Sequence, residues 1–323
     1  MFTDKRIVIT GGTGAFGRKF TEMTLARYPG VKEIVIFSRD AGKQQAMAKT
    51  FGKSPLRFVA GDVACFADVE KATRGADIIV HTAAVRLVSE AENDPWQAVL
   101  TNVTGAHNLI EAAVRNGCPR IVALSTDMAS LANNAYGASK MLSDKLFTGA
   151  GKSHPGLKTA VIRYGNMFGS QGTVIPFFVK KAREEGVLPV TDPRMTRFMA
   201  TLEACVRIAW EVIRKGLGGE IFAPRLKSYN ILTVARAVDP GAEIRITGLR
   251  PGEKLYEEMI TRYDSYHTLE TGEFYIIVPP YADMELYRRH HSAQQVAPDF
   301  EFNSENCTER FSEEEIRCLI GMG

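Results

Sequence analysis

The segment that most restricts the fold is the apolar run Arg6 to Thr10. It passes directly into Gly11, Gly12, Thr13, Gly14, Ala15, Phe16 and Gly17, and then into an amphipathic stretch from Phe16 to Tyr28 closed by Pro29 and Gly30. Strand, glycine turn and helix in that order begin a βαβ unit. Gly12, Gly14 and Gly17 satisfy G-x-G-x-x-G, and Gly11, Gly14 and Gly17 satisfy the wider G-x-x-G-x-x-G. Missing side chains let the backbone turn tightly, let a pyrophosphate approach a helix N-terminus, and let helix pack on strand. A plain tight turn is the alternative; the flanking strand and helix favour a dinucleotide loop contacted through Gly11, Thr13, Gly14, Ala15, Phe16 and Gly17.

Further strands recur with helical stretches between them. Glu33 to Phe37 ends at Ser38 and Arg39, where an acidic residue would bind an unphosphorylated ribose. Arg39, helped by Ser38 and Lys43, suits a 2′-phosphate, so NADP is favoured over NAD, while Asp40 keeps NAD open. Leu56 to Ala60 leads to Gly61, Asp62 and Val63, where Asp62 either accepts from an adenine amine or serves as a turn aspartate. Asp77 to His81 runs into Thr82, Ala83 and Ala84, small enough for a cofactor to pass or for close packing. Asn93 opens a helical pattern through Asn116, and Pro119 begins a fifth strand. The alternation predicts an α/β fold, a Rossmann-like doubly wound parallel sheet with ligands at the strands' C-terminal edge. After Thr159 to Arg163 it fades. Residues 1–165 read as the cofactor domain, with about 195–222 returning to it, and 166–323 mainly as a smaller C-terminal substrate-binding lobe. A proline-entered helix from Val174 and a capped helix after Ser312 are expected there.

Composition narrows the ligand. The 323 residues are 45% hydrophobic and 24% charged, and 40 basic against 37 acidic side chains leave only +3. That balance argues against a nucleic-acid or membrane footprint and for a small or nucleotide-linked ligand. No basic-then-apolar leader opens the chain and no apolar run approaches ~18 residues, which predicts a cytoplasmic protein. Five cysteines form no C-x-x-C pair and read as reduced, buried thiols. The six histidines form no ligand spacing, and neighbouring His290 and His291 should point apart, so no metal site is expected.

Ser125, Thr126, Asp127 and Met128 end the fifth strand, and Tyr136 to Lys140 begin a helix. Tyr136 and Lys140, four apart, share a helix face, where a lysine cation favours tyrosinate and makes Tyr136 a usable base. Thr126 can share the substrate hydroxyl and Asp127 offers a carboxyl. The thioether of Met128 can neither take nor give a proton. Arg197 and Arg250, on turns, suit phosphate or remain surface charges.

With Ser38, Arg39 and Asp40, Arg163 to Asn166, Met195 to Phe198 and Arg250 to Lys254 added, the ordered motifs cover nearly the whole chain. The sequence resembles the extended short-chain dehydrogenase/reductases, and within them the short, soluble, inverting UDP-N-acetylglucosamine 4,6-dehydratases of pseudaminic acid and capsule pathways. The resemblance implies a recycled NADP and a UDP-sugar substrate. Tyr136 would take the 4-hydroxyl proton during oxidation at C4, a base would take the C5 proton, and water would leave C6 before the hydride returns there. It implies that Thr126 binds the 4-hydroxyl, Asp127 protonates the leaving C6 hydroxyl, and Lys140 holds the nicotinamide ribose. Arg86, Asn166, Val174, Arg197, Arg250 and Glu253 would face the UDP-sugar. A homo-oligomer, dimer or hexamer, is also implied.

Three departures stand out. The lysine that serves that family as C5 base is Met128; its Lys-Gln-Val loop is Arg86, Leu87 and Val88; and its Asn-Pro stretch before the tyrosine reads Ser130 to Asn134. A 4-keto intermediate without a C5 base can be reduced from the opposite face, giving a 4-epimerase, or be handled by a water held by Asp127 or Arg86. Met128 can also simply pack against sugar or nicotinamide. A cofactor-binding scaffold without turnover and an engineered inactive variant are compatible with the same departures.

Overall fold

In the computed structural model, which describes residues 1–52, 54–170 and 173–321, the expected parallel sheet forms the centre. Its strands begin with β1 (Arg6–Thr10), β2 (Glu33–Ser38), β3 (Leu56–Ala60), β4 (Ile78–His81), β5 (Arg120–Thr126) and β6 (Lys158–Tyr164). The spatial order is 3-2-1-4-5-6, all parallel. Their Val and Ile runs are buried because helices cover both faces: α1 (Ala15–Arg27), α2 (Ala41–Phe51), α3 (Phe66–Thr73), α4 (Val88–Asn93), α5 (Pro95–Ala98), α6 (Gly105–Arg115) and α7 (Ala135–Ser153). Register brings the strand ends level. Thr10 lies beside Phe37 and His81, and Thr126 beside Tyr164, so every loop that follows opens on one edge.

The helix expected from Asn93 starts differently. Asn93 ends α4, and the Asp94 carboxylate caps the next helix by accepting from Gln97 N at 3.0 Å, with Pro95 in its first turn. A proline there forfeits only an N–H that would lack a helical partner anyway. A π-helical turn, Val99–Thr104, then joins α5 to α6. From it the buried Asn102 accepts from Val85 N at 2.9 Å and donates to Val85 O at 3.0 Å and Ser139 Oγ at 2.9 Å, tying the loop after β4 to α7.

Beyond β6 the chain leaves and re-enters the sheet. Glu220–Pro224 pairs parallel with β6; Phe274–Ile277, Thr268–Glu270 and Gln294–Gln295 add antiparallel strands, ten in all. The helix Leu202–Lys215 packs on α1, where Trp210 meets Tyr28 edge-on at 5.3 Å and donates to Thr24 Oγ1 at 3.2 Å. A second apolar cluster, including Phe178, Leu188, Tyr229, Val234 and Ile316, fills the lobe. Val174–Glu185 is helical with Pro176 in its first turn. Ser312 forms the expected capping box: its N–H donates to Glu315 Oε2 at 2.9 Å, and Glu315 N donates back to Ser312 Oγ at 3.1 Å.

Two smaller expectations change. His290 and His291 do not point apart. At the end of the helix Met284–His290 their rings meet edge-to-face at 4.8 Å, one bonded to Lys215 O and the other to Glu220 Oε1. The five thiols are unpaired, but Cys65 and Cys318 are exposed rather than buried. Among the described residues no group of three or more His, Cys, Asp or Glu could hold a metal ion, and no helix is long and apolar enough to cross a membrane.

Candidate active site

A cleft of about 760 Å³ runs along the level strand ends. One end is built mostly from backbone. Gly11, at φ 65°, lies where a Cβ would stand 2.8 Å from Ala83 N, so the β1 and β4 loops close on each other only without that side chain. Gly14 caps α1 with no side-chain hydrogen bond, leaving the helix N-terminus to the cleft. Thr13, Ala15, Phe16, Val63, Ala83 and Ala84 also line it, whereas Gly17 lies a turn inside, against Gly12. At the far corner sit Ser38, Arg39, Lys43 and Asp62. Arg39 is exposed and 3.7 Å from Asp62 Oδ2, while Ser38 Oγ accepts from Gln44 at 3.1 Å. Sequence reading missed Arg18, whose guanidinium donates to Thr13 O at 3.1 Å and Lys43 O at 3.4 Å, closing the same corner.

The other end carries the titratable groups. The absent side chain of Gly137 lets α7 sit on the Met128 carbonyl, bringing Tyr136 up to Thr126. Burial lifts the Tyr136 hydroxyl above its ordinary value, while the Thr126 hydroxyl and the Arg86 charge pull it down. Lys140 is buried and donates to Leu124 O at 2.8 Å. Burial draws its ammonium below the usual lysine value, against the pull of buried Asp144. Asp144 is in turn 3.9 Å from Arg163, which also reaches Asp264 at 3.3 Å. His81, bonded through Nδ1 to Thr10 Oγ1 at 2.7 Å, is pushed down to about 3 by burial and by the Lys140 charge.

Asp127 is buried beside them and accepts from Thr126 Oγ1 and from Met128 N, both at 3.0 Å. Burial raises its carboxyl well above the carboxylate range despite the Thr126 bond and the nearby Arg197 charge. Met128 lines the cleft next to it, as do Arg86 and Asn166. Asn166 Nδ2 donates to Tyr229 Oη at 3.0 Å.

The remaining candidates are placed elsewhere. Arg197 donates to Thr196 O at 2.7 Å, Leu255 O at 3.0 Å and Lys254 O at 2.8 Å, so its guanidinium pins the segment after Arg250. Arg250 is exposed, 3.8 Å from Glu253 Oε1, and its N–H donates to Glu253 Oε2 at 2.9 Å. That turn braces α7: Gly252 O accepts from Asn134 Nδ2 at 3.0 Å, and Asn134 Oδ1 caps the helix at Gly137 N. Val174 packs into the lobe's apolar cluster, while neighbouring Thr173 reaches the cleft. Signals within single motifs found most of the cleft; Arg18 and Asn102 lie inside helices with nothing local to mark them.

The family described as polysaccharide biosynthesis protein matches residues 7–279. The chain belongs to this family. The family lies within the extended short-chain dehydrogenase/reductases, and relatives cover the whole chain. A UDP-N-acetylglucosamine 4,6-dehydratase (inverting) of Campylobacter jejuni is 40% identical across 99% of this chain and 98% of its own. A UDP-glucose 4-epimerase of Rickettsia canadensis is 35% identical across 99% and 96%. Among solved structures, Pen from Bacillus thuringiensis superposes with a TM-score of 0.92 at 30% identity, covering 100% and 98% of the two chains. DesIV, a dTDP-glucose 4,6-dehydratase of Streptomyces venezuelae solved with NAD, gives 0.70 at 28%, covering 77% and 86%.

Proposed function

We propose that the chain is a nucleotide-sugar 4,6-dehydratase acting on UDP-N-acetylglucosamine or a close relative. The observation that carries this reading is the protonatable Asp127 carboxyl, one hydrogen bond from Thr126 and beside Tyr136. Oxidation at C4 and re-reduction there need no second acid, whereas expelling a C6 hydroxyl does.

The residues at the glycine-loop end fit a dinucleotide: an uncapped helix N-terminus faces the cleft, and Gly11 lacks the Cβ that would stand 2.8 Å from Ala83 N and hold the loops bounding the cleft apart. Ser38, Arg39 and Lys43 favour the 2′-phosphate of NADP over NAD at the far corner. Bound there, the dinucleotide supplies a reversible two-electron oxidation. Tyr136 takes the proton of the 4-hydroxyl, Thr126 orients that hydroxyl, and Lys140, fixed by Leu124 O, steadies the tyrosinate. The resulting ketone acidifies C5. As the C5 proton leaves, the C6–O bond breaks, Asp127 gives its proton to the departing oxygen, and water is released. Arg86 and Asn166 border the sugar end. Met128 supplies no base, so C5 deprotonation is the slow step and falls to water beside Asp127.

Incubation with UDP-N-acetylglucosamine tests this. Loss of one water from the product mass supports it. An unchanged mass with a shifted sugar C4 resonance overturns it in favour of a 4-epimerase, the second reading, which Met128 in the cleft and the Rickettsia relative support.

A further inference from the structure

Glu257 was prominent in no motif, yet its side chain is only 3% exposed although it is ionisable. It follows the Arg250 turn in sequence, and its carboxyl is near enough to Asp127 to feel that residue's charge. Its backbone N–H donates to Ser304 Oγ at 3.0 Å, but the cations near its carboxyl stand too far for hydrogen bonds: Arg197 Nε is 3.8 Å from Oε1, and Lys254 Nζ is 3.9 Å from Oε2. The donors are committed elsewhere. Arg197 gives its Nη hydrogens to three backbone carbonyls, and Lys254 donates to Ser130 O at 3.0 Å and Glu258 Oε2 at 2.9 Å. Among the described residues, Oε2 of Glu257 is buried with no hydrogen-bond partner.

A buried carboxylate oxygen without a donor is costly, and a second buried carboxylate makes it more so. The charged and titratable groups facing the pair are Arg197, Lys254, Glu258, Tyr136 and Tyr229. Glu258 also draws on Lys254, so Arg197 and Lys254 face three carboxyls, and charge balance leaves one proton in the Asp127 and Glu257 pair. The anion sits better on Asp127, which has two close donors, and the proton on Glu257, which has none. Burial and the Asp127 charge act on Glu257 in that direction, raising it well above the carboxylate range.

We infer that Glu257 is a positioning residue that stores a proton for Asp127: the two buried carboxyls, bracketed by Arg197 and Lys254, carry one proton between them at neutral pH. The inference rests on the dehydratase reading for its use. As the C6–O bond breaks, the stored proton passes from Glu257 to Asp127 and leaves from there on the departing water; the pair is left with two negative charges and takes up the proton that left C5, restoring the starting state. No net proton, oxidant or reductant is needed.

The test is Glu257→Gln in the full chain, with two readouts. In the infrared spectrum at pH 7 without substrate, the wild type minus Glu257→Gln difference should contain a protonated-carboxyl band; its absence overturns the proposal whether or not the protein dehydrates any sugar. In turnover, the alkaline limb of elimination should move to lower pH by about one unit and the ratio of elimination to C4 oxidation should fall at least about tenfold at pH 8, because Asp127 loses the neighbour that keeps a proton in the pair. An unmoved limb overturns it. Glu257→Asp, which keeps a carboxyl, should retain the band and a limb nearer the wild type. If Gln and Asp variants behave alike, or if Glu257→Gln does not fold and Glu257→Asp lacks the band, the role is structural and the proposal falls. A wild type with the band but no dehydration would instead reject the dehydratase reading alone.

Discussion

On the Tyr136 side of Thr126 the buried groups next to the cleft include two bases, Lys140 and His81, and burial drives both toward deprotonation. On the other side lie two acids, Asp127 and Glu257, and burial drives both toward protonation. The same loss of water favours the neutral form in each case. What differs is the neighbouring charge. Asp144 restrains the fall of Lys140, whereas the Asp127 charge pushes Glu257 further up. On the dehydratase reading, one side would remove a proton from a hydroxyl and the other would deliver one.

If the oxidation side stands alone, Tyr136→Phe should lower reduction of bound cofactor by the sugar by about 10² to 10⁴, read as reduced-nicotinamide absorbance in a single turnover. Reduction at the wild-type rate would move the base elsewhere. If the elimination side lacks only a C5 base, Met128→Lys should raise water loss by about 10²-fold with little change in C4 oxidation. No gain would mean that the pocket serves a different reaction, and product mass spectrometry decides it.

Stability should divide along the same line. His81, low when folded and near 6.5 when unfolded, contributes fully above pH 6.5 and loses that contribution as pH falls. Between pH 7 and 5 the wild type should lose about 2 kcal/mol more than His81→Gln in urea unfolding. Glu257 carries the opposite sign: its raised value stabilises below the ordinary glutamate range and less as pH rises through the folded one. The smallest effect belongs to the exposed corner. Arg39→Ala should narrow the preference for NADP over NAD by about tenfold in titration calorimetry, the equivalent of ~1.4 kcal/mol for a charge-assisted contact. Equal affinities in the wild type would remove Arg39 from cofactor choice.

Much of this was readable from neighbouring residues. The glycine loop, the strand ends at Ser38, Asp62 and Thr126, and the Tyr136 and Lys140 spacing each lie within one local motif, and register alone brings them to one edge. Arg197 shows where such reading stops. Its motif marks it, but no spacing reveals that its guanidinium is occupied by backbone carbonyls of a segment met much later in the chain. Glu257 was illegible for the same reason. Its partner Asp127 is distant in sequence, and a glutamate in a charged stretch looks like surface until the fold buries it. The helix after Asn93 was misjudged for a local reason, because Asp94 and Pro95 together are the stronger start signal.

The repeated return of the chain to the sheet governs how the molecule comes apart. Glu220–Pro224 covers the outer edge of β6, and the helix carrying Trp210 covers the aromatic face of α1. Removing everything after residue 165 would leave a bare strand edge and strip Phe2, Phe20 and Tyr28 of a neighbour. Chemical unfolding followed by fluorescence and by circular dichroism should therefore show one coincident transition rather than two. A nucleotide sugar held at one end at a hundredfold excess over its dissociation constant would stabilise the glycine-loop end as well, by about 2.7 kcal/mol.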